Sequence, residues 1–132
     1  MIRRRITKYS REVELWAEEI EACMFCFGPV PVVGNLQKCH IIGRGKRRND
    51  TRWNLVLGCD RCHRCDRGPK DPGWPDLKLE HYLFVKVTLD PFFYDPDLLE
   101  HLYCRTLPQP RVLPARFWEE RAGRRPLEVN YA

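Results

Sequence analysis

Apolar positions first recur at helical spacing between Thr7 and Ala22. Val13, Trp16, Ala17 and Ile20 fall on one side there, and Glu12, Glu14, Glu18, Glu19 and Glu21 fall mostly on the other. This pattern predicts an amphipathic helix with Ser10 at its N-cap and its apolar stripe in the core. Its acidic outer side argues against contact with DNA. Beyond Gly28-Pro29 the segment Val30 to Val33 is β-prone and is turned by Gly34-Asn35 into Leu36 to Ile42, so a short irregular hairpin is expected with His40 near its end. Gly43 to Thr51, GRGKRRNDT, reads as a basic loop, and Trp53 to Leu57 as the next strand, after which Gly58 permits a sharp turn. Asp60 to Arg67 reads as a short helix stopped by Gly68-Pro69.

The second half of the chain is patterned less sharply. Residues 68–76 are proline-rich and read as an extended connector in which Trp74 packs. From Leu77 to Leu89, Leu83, Val85, Val87 and Leu89 alternate as in a strand, while Leu79, Leu83 and Val87 suit a helix; the helix is preferred. Asp95 as N-cap and Pro96 at the first helical position open a further helix that turns Leu98, Leu99 and Leu102 inward. The prolines at 108, 110 and 114 suggest an extended arm, and Arg116 to Arg125 a brief charged helix.

Composition sharpens this outline. At 132 residues the chain is one domain by length. It divides into a basic arm and helix (1–22), a central core (23–67) and a C-terminal helical extension (68–132). The excess of 23 Lys and Arg over 18 Asp and Glu, formal charge +5, favours an anionic partner. The charge is concentrated at Arg3, Arg4, Arg5 and Lys8 and again at Arg44, Lys46, Arg47, Arg48 and Arg52. Both runs suit phosphate contacts or a solvated surface. No apolar run of signal-peptide or membrane length follows Met1, so no membrane partner and a reducing, cytoplasmic location are expected. In that setting seven cysteines point to metal before disulfides.

The cysteine spacing is the strongest chemical signal. Two residues between cysteines let both sulfurs of a turn face one point, so Cys23/Cys26 and Cys59/Cys62 together supply a tetrahedral structural Zn2+ site. His63 and Cys65, in CDRCHRC, are alternative ligands to the second pair.

Between the pairs lie His40 in KCHIIGRG and Asn54 in RWNLVLGC, and His63 follows in CDRCH. In that order, with the four cysteines, these words resemble the HNH endonuclease family over about residues 23–67, and the basic GRG run followed by RWN is similar to small bacteriophage members. The resemblance implies an α+β fold with a zinc-stapled ββα-metal, treble-clef-like core and flanking helices. It further implies hydrolysis of DNA phosphodiester bonds, mainly through backbone contacts to double-stranded DNA, in the host cytoplasm if the gene is a phage's. His40 would be the general base, Asn54 would hold the loop and the base in place, and His63 would ligate a catalytic divalent ion such as Mg2+, Mn2+, Ni2+ or Zn2+. Arg44 and Arg52 would contact phosphate beside the site, with Lys46, Arg47 and Arg48 in the same basic run. Cys39 stands where many members carry Asp or His, and is a further candidate ligand that suits a softer ion than Mg2+. That departure keeps open a non-catalytic zinc module that binds DNA or protein, or an accessory of a phage packaging or recombination assembly docked through the region from Leu77 onward.

Overall fold

A computed structural model of the chain describes residues 9–43, 48–64 and 77–112. Within them the elements run α1 (Arg11–Glu19), α2 (Val30–Val33), β1 (Gln37–His40), β2 (Leu55–Gly58), α3 (Asp60–Arg64), α4 (Leu79–Leu89) and α5 (Pro96–Tyr103), with single 3-10 turns at Arg52–Asn54 and Pro91–Phe93. The fold is α+β, built on a two-stranded sheet. The expectations for the arm at 1–8, Arg44, Lys46, Arg47, Cys65, the connector with Trp74 and the helix at 116–125 lie outside the described residues.

Local rules account for the helices that bear caps. Ser10 accepts from the Val13 N–H at the start of α1, and Val13 and Trp16 are buried. Asp95 accepts from the Asp97 and Leu98 N–H groups at the start of α5, where Pro96 takes the first turn without wasting a donor. Leu99 is fully buried, Leu102 is partly so, and α4 is a helix.

The expected hairpin is different. Val30–Val33 is a single helical turn, not a strand. Pro29 caps it and Pro31 sits in its first turn; prolines remove donors from a ladder but suit the start of a helix, so they override the β-preference of three valines. Gly34, at φ 85°, ends that turn instead of turning a hairpin. The partner of β1 is β2, antiparallel, with Gln37 opposite Gly58, Cys39 opposite Val56 and His40 opposite Leu55. Trp53 and Asn54 precede the second strand in the 3-10 turn. Gly58 serves close approach, since a Cβ there would stand 2.9 Å from the Phe25 ring and 3.3 Å from the Cys39 sulfur.

Every residue of β2 is buried. Phe25 and Cys39 pack against it, and Tyr82, Leu83, Val85 and Leu99 from α4 and α5 complete the same cluster. Helices α4 and α5 therefore belong to one core with the hairpin.

A buried polar knot joins them. Lys86 of α4 is fully buried, and its ammonium donates to the Arg52 carbonyl (2.5 Å), the Leu55 carbonyl (2.9 Å) and Asp90 Oδ2 (2.7 Å). Three donors thus meet three acceptors. Asp90 also takes both prongs of the Arg52 guanidinium, at 3.0 and 2.6 Å, and that guanidinium lies over the Phe93 ring at 3.9 Å and the Trp16 ring at 4.8 Å. Burial pushes the Lys86 ammonium below its ordinary value, and Asp90 works in the other direction.

Replacing Lys86 by Met keeps the volume but strands two buried carbonyls and part of Asp90. The expected loss is about 3–5 kcal/mol of unfolding free energy, from the usual penalty for halving a buried ion pair. Urea denaturation of wild type and Lys86→Met measures it, and a loss below about 1 kcal/mol would show that the knot is not what ties α4 to β2.

Candidate metal centre and the residues around β1

The first knuckle is a tight loop whose own backbone closes it. Cys23 N–H donates to the Gly28 carbonyl (2.9 Å), Phe27 N–H to the Cys23 carbonyl (2.8 Å), and Val30 N–H to the Glu21 carbonyl (2.9 Å). Phe27 takes φ 61°, a left-handed conformation that costs a non-glycine residue about 1–2 kcal/mol and is held here by burial of its ring. Gly28 leaves no choice, because a Cβ would lie 2.4 Å from Val33 and 3.4 Å from the Cys26 sulfur. The knuckle is fastened to β2 by Met24 N–H donating to the Leu57 carbonyl at 2.9 Å.

The second knuckle runs from the end of β2 into α3. It brings Cys59 and Cys62 against the first pair, so that all four sulfurs lie within 4.8 Å of one another and all four residues are buried. A zinc tetrahedron with Zn–S bonds of about 2.3 Å has sulfur–sulfur edges of about 3.8 Å; Cys26 and Cys59 sulfurs stand 3.9 Å apart. Backbone N–H groups of Cys26 and Cys59 point at the Cys23 sulfur (3.5 and 3.3 Å), which suits a thiolate. Burial pushes the Cys23 thiol well above its ordinary value, whereas the neighbouring sulfurs pull the Cys26 thiol down. Cys23, Cys26, Cys59 and Cys62 thus form a candidate metal site whose donors, spacing and burial fit structural zinc. Among the described residues it is the one gathering of three or more His, Cys, Asp or Glu ligand atoms.

Cys39 is not part of it. Its residue is 1% exposed, its sulfur packs near Gly58 and Phe25, and it donates to the Gln37 carbonyl at 3.5 Å.

Asn54 is fully buried and closes the basic loop. Its Oδ1 accepts from the Ile42 N–H (2.9 Å), and its Nδ2 donates to the Ile42 carbonyl (3.1 Å) and the Asn49 carbonyl (2.9 Å). The side-chain amide thus extends the sheet past the backbone pair Ile41–Asn54 and ties down both ends of residues 42–49.

The two histidines sit at opposite ends of β1. His40 ends it, and its Nε2 meets Asp50 Oδ1 at 2.7 Å; Arg48 Nε donates to the same carboxylate at 3.0 and 2.8 Å. Desolvation opposes ionisation of Asp50, but the bonds from His40 and Arg48 outweigh it and hold the carboxyl below its usual range. The contact therefore persists through neutral pH, and its support of the fold is lost only as pH falls through that lowered value. His63 lies in α3, and its Nδ1 meets Gln37 Oε1 at 2.5 Å. Gln37 and His40 are three residues apart on an extended strand, about 10 Å between Cα atoms, and among the described residues the two imidazoles have different partners. Arg52, expected at phosphate, has its guanidinium committed to Asp90 between two rings, so it holds the fold.

Sequence reasoning missed Asp50, Gln37, Lys86 and Asp90. Asp50 carried a weak signal as the acid that ends a basic run; the others depend on strand register and helix docking that no local pattern encodes.

No family model, curated protein or solved structure matches this chain. Among the described residues no helix is long and apolar enough to cross a membrane.

Purified without chelator, the protein is expected to carry one zinc per chain, and Cys26→Ser to carry none and to lose its near-ultraviolet circular dichroism, because metal binding is folding free energy in such sites. A metal-free native protein in which all four thiols react promptly with a thiol reagent would exclude the site.

Proposed function

We propose that this chain is a metal-dependent endonuclease of HNH type that hydrolyses DNA phosphodiester bonds. The observation that carries the reading is the succession β1, loop, β2, α3 stapled by the cysteine tetrad, with His40 at the end of β1, Asn54 buried where the loop returns, and His63 in the helix after the second knuckle. Such a unit supports a ββα-metal core.

His40 has the equipment of a general base. An ionised Asp50 accepts from Nε2–H, which leaves the Nδ1 lone pair of the neutral ring to take a proton from the attacking water. Asn54 keeps the loop that carries Asp50 against the strand that carries His40. At the other end of β1, His63 offers one imidazole nitrogen to a second ion, and the remaining positions would fall to water and substrate. Such an ion supplies charge neutralisation at the phosphate and at the leaving 3′ oxygen. Arg44, Lys46 and Arg47, with Arg48, are the basic residues proposed to meet the DNA backbone; Arg52 is not among them.

A second reading is favoured by the single-imidazole character of the ion site and the burial of Cys39. In it the chain is a zinc module that binds DNA or protein without cutting.

Plasmid cleavage with Mg2+, Mn2+, Ni2+ or Zn2+ separates the two. The nuclease reading expects wild type to nick or cut with at least one ion, and His40→Ala to lose activity on the order of 10²–10⁴-fold, the usual worth of a positioned base, with zinc content unchanged. Undiminished cleavage by His40→Ala, or DNA binding without cleavage across the panel, would sink it.

A further inference from the structure

The amide of Gln37 is held at both ends by α3. Its Nε2 donates to Asp60 Oδ1 at 3.1 Å, and its Oε1 meets His63 Nδ1 at 2.5 Å. Asp60 and His63 are three residues apart in the helix and so share a face. Their nearness to Gln37 follows from register: Gln37 pairs with Gly58, and the chain reaches Asp60 two residues later. Cys59 and Cys62, in the tetrad, fix the start of the helix between them.

The polarity of this chain of bonds has one solution. An ionised carboxylate only accepts, so the NH2 end of the Gln37 amide faces Asp60 and its oxygen faces His63. An amide oxygen also only accepts, so His63 must carry its proton on Nδ1. In the neutral ring the lone pair is then on Nε2, and no described residue occupies that nitrogen. Metal-binding imidazoles are commonly oriented in this way, by an acceptor on the nitrogen that does not face the ion.

We infer that Asp60 and Gln37 form a relay that locks His63 as an Nε2 ligand, which makes Gln37 a positioning residue for a divalent transition-metal ion bound by His63. The inference rests on the role given to His63 above. A single imidazole donor suits Ni2+, Co2+ or Zn2+ better than Mg2+, whose preferred ligands are oxygens.

The test uses the full chain with its zinc in place. Long-range 1H–15N spectra, recorded before any second ion is added, should show His63 protonated at Nδ1 in wild type. In Gln37→Met, of similar shape but without the amide, His63 should shift toward the Nε2–H form, and calorimetric titration with Ni2+ alone should show affinity lowered about 10–100-fold, the usual effect of removing such a partner. Gln37→Glu keeps an acceptor toward His63 but replaces the donor to Asp60 with a second carboxylate, so it should retain Nδ1–H at His63 while unfolding at a lower midpoint. Zinc content and unfolding midpoint report whether either variant is merely misfolded. Nε2–H in wild type, absence of Ni2+ binding by wild type, or unchanged tautomer and affinity in Gln37→Met would each overturn the relay. These readouts need no DNA. A protein with the expected tautomer and Ni2+ affinity that never cleaves would support the relay and overturn the nuclease reading, whereas cleavage by a protein with Nε2–H at His63 would do the reverse.

Discussion

The meeting of four sulfurs from two distant knuckles is the constraint on which the molecule depends. Strands β1 and β2 have four residues each and α3 has five, lengths at which neither hairpin nor helix is stable alone in water. Cys23 and Cys59 are 36 positions apart, and a metal ion held by both would close a loop of that size and remove about 4 kcal/mol of unfolded-chain entropy by the argument used for disulfides. That contribution is comparable to the net stability of a small domain. With the knuckles joined, β2 is buried on both faces, and the helix that follows it has a fixed origin.

The Arg52–Asp90–Lys86 knot is the second fastening, and it reaches the same place from the other side. Lys86 binds the carbonyls of Arg52 and Leu55, which bracket Trp53 and Asn54. The turn that carries Asn54 is thereby clamped between α4 and the sheet, so that its side-chain amide can hold Ile42 and Asn49. Residues beyond 77 thus support the turn that carries Asn54. The same knot explains why an arginine inside a basic run is occupied within the protein. Two charge-assisted bonds to a buried carboxylate and two aromatic faces outweigh what an exposed phosphate contact offers in water.

What could be read from the sequence was what local chemistry encodes. The tetrad was legible because a two-residue spacing brings paired sulfurs to one side of a turn wherever the knuckle sits in the fold. The caps at Ser10 and Asp95 were legible because the interaction spans three residues. Val30 to Val33 was misread because side-chain preference was weighed without the prolines that flank and interrupt it. Both strands of the sheet were legible, as Leu36 to Ile42 and Trp53 to Leu57, but the local pattern paired the first with Val30 to Val33, because its partner lies beyond the loop that Asn54 closes. No local pattern marks Lys86, and only the docking of α4 on β2 explains why it is fully buried.

One strand ends in His40 and begins with Gln37, and each end meets an imidazole in a different environment. At His40 a carboxylate accepts from Nε2, leaving Nδ1 as the basic nitrogen of the neutral ring; at His63 an amide oxygen accepts from Nδ1, leaving Nε2. The two rings are chemically identical, and the acceptor beside each selects the opposite tautomer. Proton abstraction and ion binding both require an unprotonated nitrogen, but at different positions and with different neighbours. In the proposed nuclease, therefore, the division of labour between the histidines is set by Asp50 and Gln37, and the register of a four-residue strand keeps the two jobs apart.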